Sequence, residues 1–183
     1  MILYIHGFAS CGDSNKTRLL KKHFDNVISP DIPVDPDEAI SFLQKLIVDN
    51  EVSLLIGSSL GGYYAAYLAE KFQIKTILLN PSTQPFLTLA PYIGENTFYC
   101  SGKSFEWTRT DINKLMSYAI SKNSIKAPVL VLLQKGDEVL DYTKAEEVFE
   151  EYQMIVQEGG NHRFENLDEY IELVSEFYFE KRP

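Results

Sequence analysis

Val52-Ser53-Leu54-Leu55-Ile56 runs directly into Gly57-Ser58-Ser59-Leu60-Gly61-Gly62, and a helical pattern from Leu60 to about Phe72 follows. A short apolar strand, a run of small residues and a helix are the setting in which G-x-S-x-G acquires meaning. A serine at the centre of so sharp a turn needs small residues two positions before and two after it, so that strand and helix can approach. Gly57 and Gly61 supply them, and Gly62 adds a further close approach. The turn sets the Ser59 hydroxyl at a helix N-terminus, where free N–H groups favour a developing anion.

Outward from this turn, apolar runs alternate with helical periodicity. Strands are expected at Ile2–Ile5, Asn26–Ser29, Val52–Ile56, Thr76–Leu79, Val129–Leu133 and Gln153–Gln157. Helices are expected at Ser14–Phe24, from Asp35 through Asn50, near Thr110–Ser121, and at Tyr142–Tyr152 and Leu167–Phe179. Continuous apolar strands separated by helices imply a parallel sheet covered on both faces. Such sheets collect their chemistry at the carboxyl ends of the strands. The polar residues just after those strands are His6, Ser59, Asn80, Asp137 and His162.

A serine hydroxyl needs a base to act as a nucleophile near neutral pH. The chain has three histidines. His23 sits among Lys21, Lys22 and Asp25 and reads as a solvated surface residue, and His6 beside Gly7 reads as a packing or loop-bracing residue. His162, in Gly159-Gly160-Asn161-His162, is the candidate base. A carboxylate that orients the imidazole should fall between the serine and the histidine in chain order. Asp137 lies in the first turn after Val129–Leu133, Asp141 is better placed to cap the next helix, and Glu138 is expected to point to solvent. Two donors for an oxyanion are expected from the N–H of Leu60 and the N–H of Phe8.

The whole pattern resembles an α/β-hydrolase, and more closely the small bacterial esterases of the YqiA type. The resemblance is carried by Tyr4-Ile5-His6-Gly7-Phe8 and Gly57-Ser58-Ser59-Leu60-Gly61-Gly62-Tyr63-Tyr64. It continues in Asn80-Pro81, Pro85-Phe86, Gly94-Glu95-Asn96, Gly136-Asp137-Glu138-Val139-Leu140-Asp141-Tyr142 and Glu158-Gly159-Gly160-Asn161-His162. It implies a compact fold of about six mostly parallel strands, without the two leading strands of larger relatives, and with residues 82–127 forming a small cap. It also implies Ser59 as nucleophile, Asp137 as acid and His162 as base. The expected substrate is a small-molecule carboxylic ester or thioester, cleaved through an acyl-enzyme without cofactor or metal. Phe8, Tyr63, Phe86 and Trp107 are candidates for an apolar acyl pocket, with ordinary core or cap packing as the equal alternative for each. Acyl transfer to an acceptor other than water uses the same residues, and a non-catalytic interaction protein on a hydrolase scaffold is the rival from a different class.

Composition narrows the field. With 183 residues the chain has room for one domain, here 1–183. The net charge of −9 repels phosphate backbones and anionic lipid, so neither nucleic acid nor a membrane is an expected partner. Gly7-Phe8-Ala9-Ser10-Cys11-Gly12-Asp13-Ser14 approaches a phosphate-binding P-loop, but Asp13 stands where its lysine belongs. No zinc-ligand spacing and no dinucleotide fingerprint is present. Two cysteines, Cys11 and Cys100, are too few for a disulfide framework; two separate reduced thiols are expected, with one bridge between them as the alternative. No basic leader precedes the first strand and no apolar run is long enough for a membrane span, so the expected compartment is the cytoplasm.

Overall fold

A computed structural model describes residues 1–180. In chain order the elements are β1 (Ile2–Ile5), α1 (Asn15–His23), β2 (Val27–Ile28), α2 (Pro36–Asp49), β3 (Leu54–Ser58), α3 (Leu60–Phe72) and β4 (Lys75–Leu79). There follow α4 (Pro85–Thr88), β5 (Gly94–Thr97), β6 (Ser104–Trp107), α5 (Arg109–Leu115), β7 (Val129–Gln134), α6 (Tyr142–Val148), β8 (Gln153–Gln157) and α7 (Ile171–Phe179). The main sheet has six parallel strands in the order β2-β1-β3-β4-β7-β8.

Strand residues alternate between two cores. Leu3, Ile5, Leu55, Leu78, Val131 and Leu133 face the layer built on α2, α3 and the cap. Ile2, Tyr4, Leu54, Ile56, Ile77 and Leu79 face α1 and α7. The four inner strands β1, β3, β4 and β7 are therefore buried on both faces, which explains why their sequences are largely apolar. The chain turns outward from β1 to β2, then returns to lay β3 on the other side of β1. The sheet thus reverses direction between β1 and β3, and the crevice at the carboxyl ends of such a pair is where ligands of open α/β sheets bind.

Helix ends follow local chemistry. Ser14 caps α1 by accepting from Thr17 N at 3.2 Å, and Asp35 caps α2 by accepting from Asp37 N at 2.8 Å. Asp141 caps α6 through Thr143 N, as its position suggests. The helix expected over Tyr142–Tyr152 stops at Val148, and the one expected from Leu167 opens with a tight 3₁₀ turn over Leu167–Tyr170 before α7.

Residues 82–127 form a small cap with a feature the sequence pattern did not disclose. β5 and β6 pair as an antiparallel hairpin, Gly94 opposite Trp107 and Thr97 opposite Ser104. Its strands carry only one deeply buried side chain, Trp107, so they lack the apolar runs that mark the main sheet. Phe8, in the loop after β1, is the anchor beneath it: its ring meets Tyr92, Phe105 and Trp107 at centroid distances of 5.8, 5.5 and 5.1 Å.

The hairpin also overturns the expectation of two separate thiols. Its turn lies on the loop after β1, where Tyr99 N donates to Ala9 O at 2.9 Å, and Cys11 and Cys100 form a disulfide with Cα atoms 6.2 Å apart. The two are 89 residues apart in sequence, and the cysteine count carries no information about a neighbourhood made by aromatic packing. Closing a loop of that length restricts the unfolded chain. Replacing both cysteines by serine should lower stability by about 2–4 kcal/mol in chemical denaturation. Dithiothreitol should lower wild-type stability by a similar amount and leave the double variant where it was.

Candidate active site

Ser59 holds φ 56° and ψ −122°, a conformation outside the regions that ordinary residues adopt. Two glycines permit it. A Cβ on Gly57 would come within 2.3 Å of Gly61 O, and one on Gly61 within 2.1 Å of Ile5 O. Strand β3 runs two residues beyond its expected end, through Ser58, which pairs with Leu79. Ser59 N donates to Leu79 O at 3.1 Å, and Ser59 O accepts from Gly62 N, Tyr63 N and Ser82 N. The backbone is thus held on both sides while the side chain remains free to face the cleft.

The cleft brings together residues from three separate loops. His162 Nε2 lies 3.0 Å from Ser59 Oγ, and His162 Nδ1 lies 2.9 Å from Asp137 Oδ2. With Nδ1–H donating to the carboxylate, Nε2 is left as an acceptor toward the hydroxyl. The Asp137 side chain is 2 % exposed, and its Oδ1 also accepts from Val139 N and Leu140 N, both at 2.8 Å. Its position is therefore fixed by the turn it sits in. Glu138 is exposed but is not simply solvated: its Oε2 accepts from His162 N at 2.9 Å.

Phe8 N and Leu60 N donate to no acceptor among the described residues. Phe8 leaves β1 through His6-Gly7, and His6 fixes this loop: Nδ1 donates to Gly7 O at 2.9 Å and Nε2 accepts from Ile32 N at 3.2 Å. Burial pushes the His6 imidazole down from its ordinary range, with the contact to Gly7 opposing, so it serves as a neutral brace.

The expected acyl pocket is partly redrawn. Phe8, Leu60, Tyr64, Phe105 and Trp107 bound a narrow apolar crevice together with Val34. Tyr63 does not line it. It is buried, and its hydroxyl donates to Leu115 O at 2.6 Å, which ties α3 to α5 of the cap. Phe86 packs on the hydrophobic core instead of lining the crevice. Both follow the elbow or the strand β4 closely in sequence, but the turn of the helix carries them away from Ser59.

A buried amide network that spacing did not single out holds the histidine loop. Asn80, with φ 40°, donates from Nδ2 to Asn161 O at 3.1 Å and accepts at Oδ1 from Gln134 N at 2.9 Å. Gln134 accepts at Oε1 from Asn161 N at 3.0 Å and donates from Nε2 to Gln157 and Asn166. Asn80 was visible as a polar residue after a strand. Gln134 carried a weaker signal: an amide ending an otherwise apolar run.

The chain has relatives in sequence and in fold. The chain belongs to the family described as "Uncharacterised protein family (UPF0227)", whose profile matches residues 1–179. It is 28% identical to the UPF0227 protein VP0969 of Vibrio parahaemolyticus, over 97% of this chain and 98% of that protein. Among solved structures it is similar to a putative hydrolase from Agrobacterium vitis, with a TM-score of 0.80 and 15% identity, covering 97% of this chain and 87% of that one. It is also similar to Est1E from Butyrivibrio proteoclasticus bound to ferulic acid, with a TM-score of 0.72 and 16% identity, covering 96% and 84%. The fold is that of the α/β-hydrolases. No described helix is long and apolar enough to cross a membrane.

Gln134→Leu removes the amide at the centre of the loop network and strands its buried partners. It should cost about 1–3 kcal/mol of stability and raise amide hydrogen exchange over residues 159–163 above that over β7. Uniform exchange across both segments would show that the network does not govern the loop.

Proposed function

We propose that this protein is a serine hydrolase of small-molecule carboxylic esters or thioesters, with Ser59 as nucleophile, His162 as base and Asp137 as its orienting acid. The continuous contact from Asp137 through His162 to Ser59, set on a strained elbow, is the observation that carries this assignment. Ser59 Oγ attacks the acyl carbon as its proton passes to His162 Nε2. The carbonyl oxygen becomes an oxyanion between Phe8 N and Leu60 N, where donors already in position need no reorganisation. Collapse expels the alcohol or thiol, which takes the proton from His162. Water then repeats the cycle on the acyl-enzyme, releases the carboxylic acid and restores Ser59.

The apolar crevice beside Phe8 and Leu60 is the proposed acyl site, since its lining is aromatic and aliphatic. Cytoplasmic placement remains part of the proposal. In that compartment the Cys11–Cys100 bond would be exposed to thiol reductants, and persistent disulfides are rare there.

Ser59→Ala should fold normally and lose nearly all ester hydrolysis, on the order of 10⁶ in kcat. Asp137→Asn should lose roughly 10⁴ by misorienting the imidazole. Asp141→Asn should keep its activity, since Asn also caps a helix and the change costs at most about 1 kcal/mol. Kinetics with 4-nitrophenyl butyrate and melting curves on all three variants check this. An active Ser59→Ala variant, or a collapse of kcat in Asp141→Asn alone, would reassign the site.

A further inference from the structure

The cleft in front of Ser59 and His162 is bordered on its far side by Lys16, in the first turn of α1, and by Arg163, the residue directly after His162. In a chain of net charge −9 this pairing of cations is unexpected, and their surroundings sharpen it. Arg18, one turn from Lys16's end of the helix, is neutralised by Asp13 through contacts of 2.9 and 2.8 Å. Lys16 and Arg163 have no ion pair or hydrogen bond among the described residues. Glu165 is the nearby carboxylate, and its Oε2 is engaged by Asn161 Nδ2 at 2.9 Å. Glu138 across the cleft accepts from His162 N. Glu165 acts on half-buried Lys16 more strongly than Arg163 does, so the two cations share one nearby carboxylate and keep a net positive charge that an anion can answer.

The cleft floor connects these cations to the elbow. Tyr4 is buried beneath it, with its hydroxyl within hydrogen-bonding reach of Ser58, next to the nucleophile, and of Ser14, the cap of α1. Lys16 and Arg163 thus line the same cleft as Ser59 and His162, and neither borders the crevice bounded by Trp107 and Phe105. His162 hands its proton to the departing group, so the leaving alcohol or thiol occupies its flank.

We propose that Lys16 and Arg163 form a subsite for an anionic group, carboxylate or phosphate, carried on the alcohol or thiol half of the substrate. The subsite rests on the hydrolase assignment and deepens it: the acyl group sits in the apolar crevice and an acidic leaving group lies across the cationic rim. Burial, with Arg163 adding to it and Glu165 opposing, brings the Lys16 amine down to about 8. The charged groups facing it are Glu165 and Arg163, with Glu138 and His162 across the cleft. Lys16 is thus a cation below that pH and loses its charge as pH rises through it. Preference for an acidic leaving group should be present below about pH 8 and weaken above it.

The test compares butyrate esters of 4-hydroxybenzoate, of 4-hydroxyphenyl phosphate and of neutral methyl 4-hydroxybenzoate. A fourth ester, 4-nitrophenyl hemiglutarate, places the charge on the acyl half. In Lys16→Gln the charged-to-neutral ratio of kcat/KM should fall at least tenfold relative to wild type, and in Arg163→Gln at least threefold. The carboxylate and phosphate arms show which anion is preferred. The wild-type ratio should decline through about pH 8. Lys16→Arg should keep the preference without that decline. An equal loss on charged and neutral esters in Lys16→Gln, or a preference confined to hemiglutarate, would overturn the subsite. Turnover of the neutral ester by wild type upholds the hydrolase assignment whatever the ratio does, and absence of turnover on all four esters would remove both.

Discussion

The backbone of Ser59, held at φ 56° between β3 and α3, is the constraint on which the rest of the site depends. A non-glycine residue in this conformation costs of order 1–3 kcal/mol and survives only where its surroundings over-determine it. Here they do. Gly57 and Gly61 let α3 press against β3 and β1 at a distance no side chain would allow. Hydrogen bonds from Ser59 N to β4, and from three N–H groups to Ser59 O, fix the peptide on both sides. The same closeness leaves Leu60 N at the helix start without an acceptor and brings it near the loop that carries Phe8. One strained residue therefore sets the proposed nucleophile and one of the proposed oxyanion donors together.

The remaining groups arrive on loops, and each is immobilised by a different device. Asp137 is locked by the two N–H groups of its own turn. His162 sits on a glycine-rich loop with little stiffness of its own, so its position depends on Asn80 and Gln134 at the ends of the neighbouring strands β4 and β7. The loop after β1 is braced by His6 below and clamped by the β5–β6 hairpin above, through aromatic contacts and the Cys11–Cys100 bond. A rigid parallel sheet supplies the platform, and short polar networks convert that rigidity into side-chain geometry.

What the sequence made legible divides along the same line. The six strands, the burial of the inner ones on both faces and the strand–elbow–helix unit are local patterns, and they were readable from apolar runs and glycine spacing. That Ser59, Asp137 and His162 come together was readable because each falls just after a strand and so reaches the same sheet edge; their catalytic roles are the proposal. The hairpin β5–β6, the disulfide and the displacement of Tyr63 and Phe86 from the crevice were not readable. Each depends on contacts between segments distant along the chain. The hairpin strands are short and half-exposed, so they carry no strong period, and Tyr63 turns away because helical rotation sends it to Leu115. Gln134 looked like the polar end of a strand, and its role emerges only when β8 and the histidine loop are beside it.

The two flanks of Ser59 are made of different material, and that asymmetry gives the fold a direction. On the side of Phe8 and Trp107 the walls are aromatic and aliphatic, and the hairpin above them is tethered twice to the loop below. On the side of His162 the cleft is wide and polar, carrying hydroxyls, Lys16 and Arg163 together with Asp13, Glu138 and Glu165. An acyl group loses little by entering the first and could not satisfy the second. A charged leaving group would be expelled from the first and neutralised by the second. In the proposed reaction His162 serves the flank it faces, so attack, protonation and departure match this division of apolar and polar surface. An anionic product of that reaction would leave the cleft for a molecule whose net charge has its own sign.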